Sequence, residues 1–300
     1  MNKRLDWSED MDEYIRLVNK SEDYIESHLS EKISLADLAN NVNISKYHFH
    51  RIFSKYSDET VKQFVTRIKV ERAGMFLTVR NDFSITDIAF QYGYNDASTF
   101  NKAFKKYFGM SPLEYRKARN DKKQQIVSPI LKLREMILME KPTITVEYIE
   151  MKVIYVRFKG NYVEYRKNSR KMFNKLFNFA KKYDLIKDNF TKVMTIYHDN
   201  PFVTDSESLR TSVAMTVPLD TAIEEEGQIG TMNFGGKYAV LHYDLTLCEY
   251  EEAWKYAYSN CLLNKGEYTP RDSFPFELYV TEPPKSLKAK SKTDIYVPIE

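Results

Sequence analysis

The chain has 300 residues with 43% apolar and 14% aromatic side chains, enough to bury the cores of two ordinary domains and too apolar for a disordered chain. No apolar run approaches the ~18 residues of a membrane span, and no apolar stretch follows the charged start MNKRLDWSED, so neither a membrane span nor a secretory signal is expected. The net charge of +3 hides a gradient: residues 1–44 carry 5 basic and 10 acidic side chains, residues 45–123 carry 16 and 8, and residues 124–300 carry 24 of each. One compact region is therefore basic, the footprint of a polyanion-binding surface, although a solvated charged face gives the same bias. Only Cys248 and Cys261 are present, which excludes a disulfide framework or cysteine zinc site and fits a reducing cytoplasm.

In chain order, residues 8–29 have the apolar spacing of an amphipathic helix, and its acidic start suits a helix N-terminus. Two stretches then repeat: LADLANNVNISKYHFHRIFSKYSDET from Leu35 and ITDIAFQYGYNDASTFNKAFKKYFGMS from Ile85. Ala39 and Ala89 correspond, and Asn43 and Gly93 follow four residues later, where a tight turn needs a left-handed backbone. Ser45 and Asp96 stand as N-caps of the second helix of each unit, and Phe49, Ile52 and Phe53 match Phe100, Ala103 and Phe104 on its buried face. Each copy reads as a helix-turn-helix, whose second helix enters the major groove of DNA. Residues 60–79 form a long connecting helix, with Arg67, Lys69 and Arg72 expected on its outer side.

GYNDASTFNKAFKKYFGMSPLEYRK resembles the AraC/XylS family signature, matched from Gly93 to Arg116. The resemblance covers about residues 8–118. It implies base contacts at Tyr47, His50 and Arg51 on the first recognition helix. Facing away from the apolar stripe are also Ser45 and Lys46, and on the second helix Ala97, Ser98, Asn101 and Lys102. Arg51 suits guanine, Asn101 adenine, and Ala97 a thymine methyl, while Lys46, Lys105 and Lys106 suit phosphate. His48 and His50 point to different faces and make no metal site; His48 is expected to pack.

Residues 119–141 read as a linker helix. From Pro142 strands prevail. TITVEYI, KVIYVRF, a helix over 163–183, KVMTIYH and TSVAMTV give the order β-β-α-β-β; a second copy follows with KYAVLHY, a helix over 249–263, PFELYV and TDIYVPI. Tyr197 matches Tyr279, and Val217-Pro218 matches Val297-Pro298, so two pseudo-symmetric modules with a cleft on their axis are expected. The expected architecture is multidomain: an all-α double helix-turn-helix domain over 8–118, then an α/β (α+β) domain over 142–300.

Within PFELYV, Glu277 and Tyr279 share one strand face, and Thr195 is the matching position of the first copy. A carboxylate amid aromatics must be compensated: by a cationic ligand, by solvent exposure or by a structural ion pair. The stretch from Pro142 to Glu300 resembles GyrI-like effector-binding domains through VRFKGNY, TIYHDNP, VAMTVP and PFELYVTEPP. That resemblance implies that Glu277 contacts a small cationic or lipophilic effector, with Tyr279, Tyr197, Tyr243 and Trp254 as the wall. Together the resemblances imply a non-enzymatic transcription regulator whose partners are double-stranded DNA, RNA polymerase and an effector, with no cofactor. The alternatives are a constitutive activator with a structural or protein-binding second domain, and a small-molecule hydrolase, for which no nucleophile-base-orienter set is visible.

Overall fold

The computed structural model describes residues 7–80, 82–119, 140–201, 203–263, 268–281 and 289–300. The linker helix expected over 119–141 lies, but for its ends, outside them. The chain divides into two compact units: residues 1–116 with 223–230, and residues 117–222 with 231–300.

The first unit is all-helical. Its helices are α1 (Trp7–Ser27), α2 (Leu35–Asn41), α3 (Lys46–Tyr56), α4 (Val61–Val79), α5 (Ile85–Gln91) and α6 (Ala97–Phe108); α7 (residues 112–119) also lies in this part of the chain. The two repeats are α2–α3 and α5–α6. Ser34 and Ser84 open α2 and α5 with matching capping boxes, closed by Asp37 and Asp87. The turns contain Asn43 at φ 55° and Gly93 at φ 71°, the left-handed conformation that both residue types tolerate. One core runs through both repeats, with Leu38, Ala39, Phe49 and Phe53 of the first and Ile88, Ala89, Phe100 and Phe104 of the second, bridged by Phe64, Ile68, Phe76 and Leu77 of α4.

The second unit contains β1 (Thr143–Lys159), α8 (Tyr162–Lys182), β2 (Val193–Tyr197), β3 (Arg210–Val217), β4 (Gly230–Leu245), α9 (Tyr250–Ala257, continued by a π-helical turn over Tyr258–Leu263), β5 (Phe276–Tyr279) and β6 (Ser291–Pro298). TITVEYI and KVIYVRF are one continuous strand, so the first module runs β-α-β-β and not β-β-α-β-β, the same order as the second. No Gly or Pro stands between them, and Glu150–Lys152 simply extends the pleat. The six strands close into a barrel in the order β1-β3-β2-β5-β6-β4. Val153, Tyr155, Met194, Ile196, Ala214, Tyr238, Val240, Phe276, Leu278 and Tyr296 form one shared core. Because strand side chains alternate, their neighbours face the opposite side, where α8 packs on β1 and β3 and α9 on β6. Thr195, Tyr197, Glu277 and Tyr279 lie on that helix-covered side.

Candidate nucleic-acid interface and buried carboxylate site

On the first unit the recognition helices are capped where the sequence places caps. Ser45 Oγ accepts from the His48 amide at 3.3 Å, and Asp96 Oδ1 accepts from the Thr99 amide at 2.7 Å. The Thr99 backbone bond, with its hydroxyl, holds the Asp96 carboxyl below the usual range. The buried faces are Phe49, Ile52 and Phe53 on α3 and Phe100 and Phe104 on α6. The opposite faces are free: Ser45, Lys46, Tyr47, His50 and Arg51 are exposed, as are Ser98, Asn101, Lys102, Lys105 and Lys106, while Ala97 is half-buried. Tyr47 is 81% exposed, unusual for an aromatic residue on a helix. His48 packs edge-on against Tyr14 of α1, ring centroids 5.7 Å apart.

The cations of α4 differ from expectation. Arg67 donates to Glu59 at 2.6 Å and to Glu71 at 3.2 Å, and Arg72 donates to Glu26 at 3.0 Å. Lys69 is buried, reaches the Glu31 carbonyl at 3.4 Å, and its ammonium pKa is lowered by burial. Tyr107 of α6 donates to Glu71. The helix packs against α3, α5 and α6 and retains no broad solvent face, so these side chains join helices. The result is a polar chain from Glu59, just after α3, through Arg67 and Glu71 to Tyr107 on α6.

On the second unit β2 and β5 pair antiparallel with Thr195 opposite Glu277. Glu277 is 4% exposed. Its carboxylate accepts from Tyr197 Oη at 2.8 Å, from Tyr279 Oη at 3.0 Å and from Trp254 Nε1. Among the described residues no cation forms an ion pair with it. Burial pushes its carboxyl pKa up, against the three neutral donors and a small opposing effect of Arg166. Tyr279 Oη also meets Thr195 Oγ1 at 2.8 Å, and Tyr165 Oη meets Thr195 Oγ1 at 2.9 Å. Burial holds Tyr197 and Tyr279 well above the ordinary phenol value, so both remain neutral donors.

Aromatic rings continue outward from the carboxylate. Tyr162 stands edge-on to Tyr197 at 5.7 Å, Tyr197 to Trp254 at 5.2 Å, Trp254 lies 5.6 Å from Tyr258, and Phe173 is 6.3 Å from Tyr279. Of the residues expected here, Glu277, Tyr279, Tyr197 and Trp254 come together. Tyr243 lies apart from this cluster: it is buried, and its hydroxyl donates to the Ala253 carbonyl of α9 at 3.2 Å. Sequence reasoning missed Tyr162, Tyr165 and Tyr258. The signal was available for Tyr162 and Tyr165, which lie three apart on the first turn of α8 behind the N-cap Asn161.

Residues 142–300 match the GyrI-like small molecule binding domain, more than half of the chain. The chain belongs to the GyrI-like family. Residues 38–118 match a helix-turn-helix domain, so a DNA-binding helix-turn-helix domain of the AraC type precedes the GyrI-like domain. An uncharacterized HTH-type transcriptional regulator, YbfP of Bacillus subtilis, is 38% identical over 34% of this chain and 35% of its own length. The Msm operon regulatory protein of Streptococcus mutans is 31% identical over 33% of this chain and 36% of its own. The chain thus spans about a third of the length of these curated relatives. The C-terminal domain of AraT, a response regulator from Geobacillus stearothermophilus, is 30% identical over 34% of this chain and 85% of that chain, with a TM-score of 0.33. Among the described residues of this GyrI-like chain no helix is long and apolar enough to cross a membrane.

Proposed function

We propose that this GyrI-like chain is a sequence-specific, DNA-binding transcription regulator whose second domain binds a cationic, lipophilic small molecule at Glu277. The observation that carries the effector reading is the buried carboxylate: it has three neutral donors and no ion-pair partner among the described residues. Such a group stays costly to ionise until a cation arrives, and the surrounding ring faces and edges suit an aromatic-stacking cation. The DNA reading is supported by two capped helices with free polar outer faces, and by the AraC-type match. Arg51 and Asn101 are assigned to bases, and Lys46, Lys105 and Lys106 to phosphates. RNA polymerase is the further partner of such a regulator, and the cytoplasm its compartment. Effector binding acts by favouring one of two states of the protein, as any linked equilibrium requires.

The test is selection of bound duplexes from a random pool by the full chain, followed by titration with a cationic rhodamine. Enrichment of a motif with two recognition segments about one helical turn apart is expected. A pool that stays random removes the sequence-specific reading. Equal rhodamine affinity in wild type and Glu277→Gln removes the effector reading.

A further inference from the structure

Helix α8 is amphipathic in an unusual way. It buries Tyr165, Met172, Leu176, Phe179 and Ala180 and carries seven Lys and Arg against a single acid, Glu164. Residues 124–300 as a whole are balanced, so this helix holds a concentrated share of their positive charge. Lys167, Arg170, Lys171 and Lys181 are exposed on one side: Arg170 and Lys171 follow Lys167 at three and four residues, and Lys181 stands ten residues after Lys171, with exposed Asn174 and Asn178 between them. None of these four cations has an ion pair among the described residues. Elsewhere in the same unit Lys187 pairs with Asp184 at 2.8 Å and Lys255 with Glu252 at 2.7 Å, while exposed Lys192, Lys237, Lys290 and Lys292 stand singly on strands or loops without an ion pair among the described residues.

Like-charge spacing and the contrast with α9 separate this face from an ordinary solvated one. Lys167 and Lys171, like Arg166 and Arg170, stand at i and i+4, where like charges repel and weaken the helix. The pseudo-symmetric helix α9 carries Glu251 and Glu252 against one lysine, so the duplicated scaffold does not require a cationic helix. Between the cations stand the amides Asn174 and Asn178, which donate hydrogen bonds to phosphate oxygens, together with the half-exposed ring of Phe177. A helix lying in a membrane surface inserts a broad apolar face, and that of α8 is buried on β1 and β3, leaving only Val163 and Phe177 of its large apolar side chains exposed, two turns or more apart. From Lys167 to Lys181 the stripe covers about 21 Å of helix axis, the length of about six base pairs.

We propose that the α8 face of Lys167, Arg170, Lys171 and Lys181 binds the phosphate backbone of duplex DNA without reading its sequence. This rests on the DNA-binding reading above and adds a second contact to it. The face neutralises phosphates, releases counterions and therefore steepens the salt dependence of binding.

The experiment measures the affinity of the full chain for one selected duplex and one random duplex over a series of salt concentrations. The variant K167Q/R170Q/K171Q is compared with the charge-keeping K167R/R170K/K171R; Arg166 is left intact because it lies near Glu277. The expected result is a salt slope shallower by roughly 2–3 in the Gln variant, at about 0.9 per phosphate contact. The ratio of selected to random affinity stays unchanged, and the charge-keeping variant retains the wild-type slope. A Gln variant with the wild-type slope overturns the proposal, and so does loss of binding to phosphatidylglycerol vesicles with an unaltered DNA slope, which reassigns the face to membranes. Should the triple variant unfold, the single variants K167Q, R170Q and K171Q are read instead, each expected to lower the slope by about 0.9; three unchanged slopes overturn the proposal equally. A wild-type chain that binds no duplex at any salt overturns the DNA reading itself, and this proposal with it.

Discussion

Thr195 and Glu277 face each other as direct partners across the β2·β5 pair, one of the two seams where the modules of the closed barrel meet. They are also equivalent residues of the duplication, so the local pseudo-two-fold passes between them. Tyr197 and Tyr279 complete the relation: Tyr197 donates to Glu277, and Tyr279 meets Thr195 while also reaching Glu277. A symmetric frame thus holds one carboxylate on one side of its axis and one hydroxyl on the other. The asymmetry is chemical and leaves the backbone register intact.

The buried carboxyl of Glu277 makes stability depend on pH. Its folded pKa lies above the ordinary 4.5 because burial disfavours the charged form. The folded state therefore binds the extra proton, and this contribution is present below the unfolded pKa and lost as pH rises through the folded value. Glu277→Gln cannot titrate. In thermal unfolding, the variant is expected to gain on wild type as pH rises above about 4.5. A stability difference that is flat with pH contradicts the desolvated site.

Gly93 occupies a position that tolerates no side chain. Its φ is 71°, and an added Cβ would lie 2.7 Å from the Ser30 carbonyl oxygen and 2.9 Å from Lys69 Nζ. Gly93→Ala is expected to destabilise the first unit by roughly 1–3 kcal/mol or more. Asn43, its counterpart at φ 55°, should accept Gly at a cost under about 1 kcal/mol. Chemical denaturation of both variants checks the pair, and equal losses would mean that the Ser30 contact is immaterial.

The polar chain across the first unit predicts a stability role for Tyr107. Its hydroxyl donates to the buried Glu71, which Arg67 also engages. Tyr107→Phe removes one donor from a buried carboxylate, at about 1–3 kcal/mol. Urea unfolding should show the loss. The same substitution combined with Glu71→Gln should cost less than the two single losses added, because the partners are coupled.

Base and phosphate roles separate on salt and specificity. Arg51→Ala is expected to cost about 1–3 kcal/mol on the selected duplex and to relax preference at one base pair. Lys106→Ala should weaken selected and random duplexes alike and reduce the salt slope by about 1. If Arg51→Ala weakens both duplexes equally, its assignment to a base fails.

The sequence by itself determined the features that depend on a few neighbouring residues. The caps at Ser45 and Asp96, the left-handed turns at Asn43 and Gly93, and the buried stripes of α3 and α6 follow from local hydrogen bonding and helical period. The duplication was also legible, because Tyr197 and Tyr279 keep the same place in their modules. Three things were decided only by tertiary structure. The cations of α4 look exposed by period, but Lys69 and Arg72 point at partners brought in by another segment, the Glu31 carbonyl and Glu26 about forty residues back in the chain, while Arg67 is held locally by Glu59 and Glu71. The apparent break within β1 vanished: Thr143–Lys159 is one strand, although β3 pairs only with its second half, Lys152–Lys159. The donors of Glu277 come from β2 and α9 as well as from its own strand, so its burial was invisible in PFELYV alone. Local propensity acts over one or two turns of chain, whereas the compensation of a buried charge depends on which distant segments the fold packs around it.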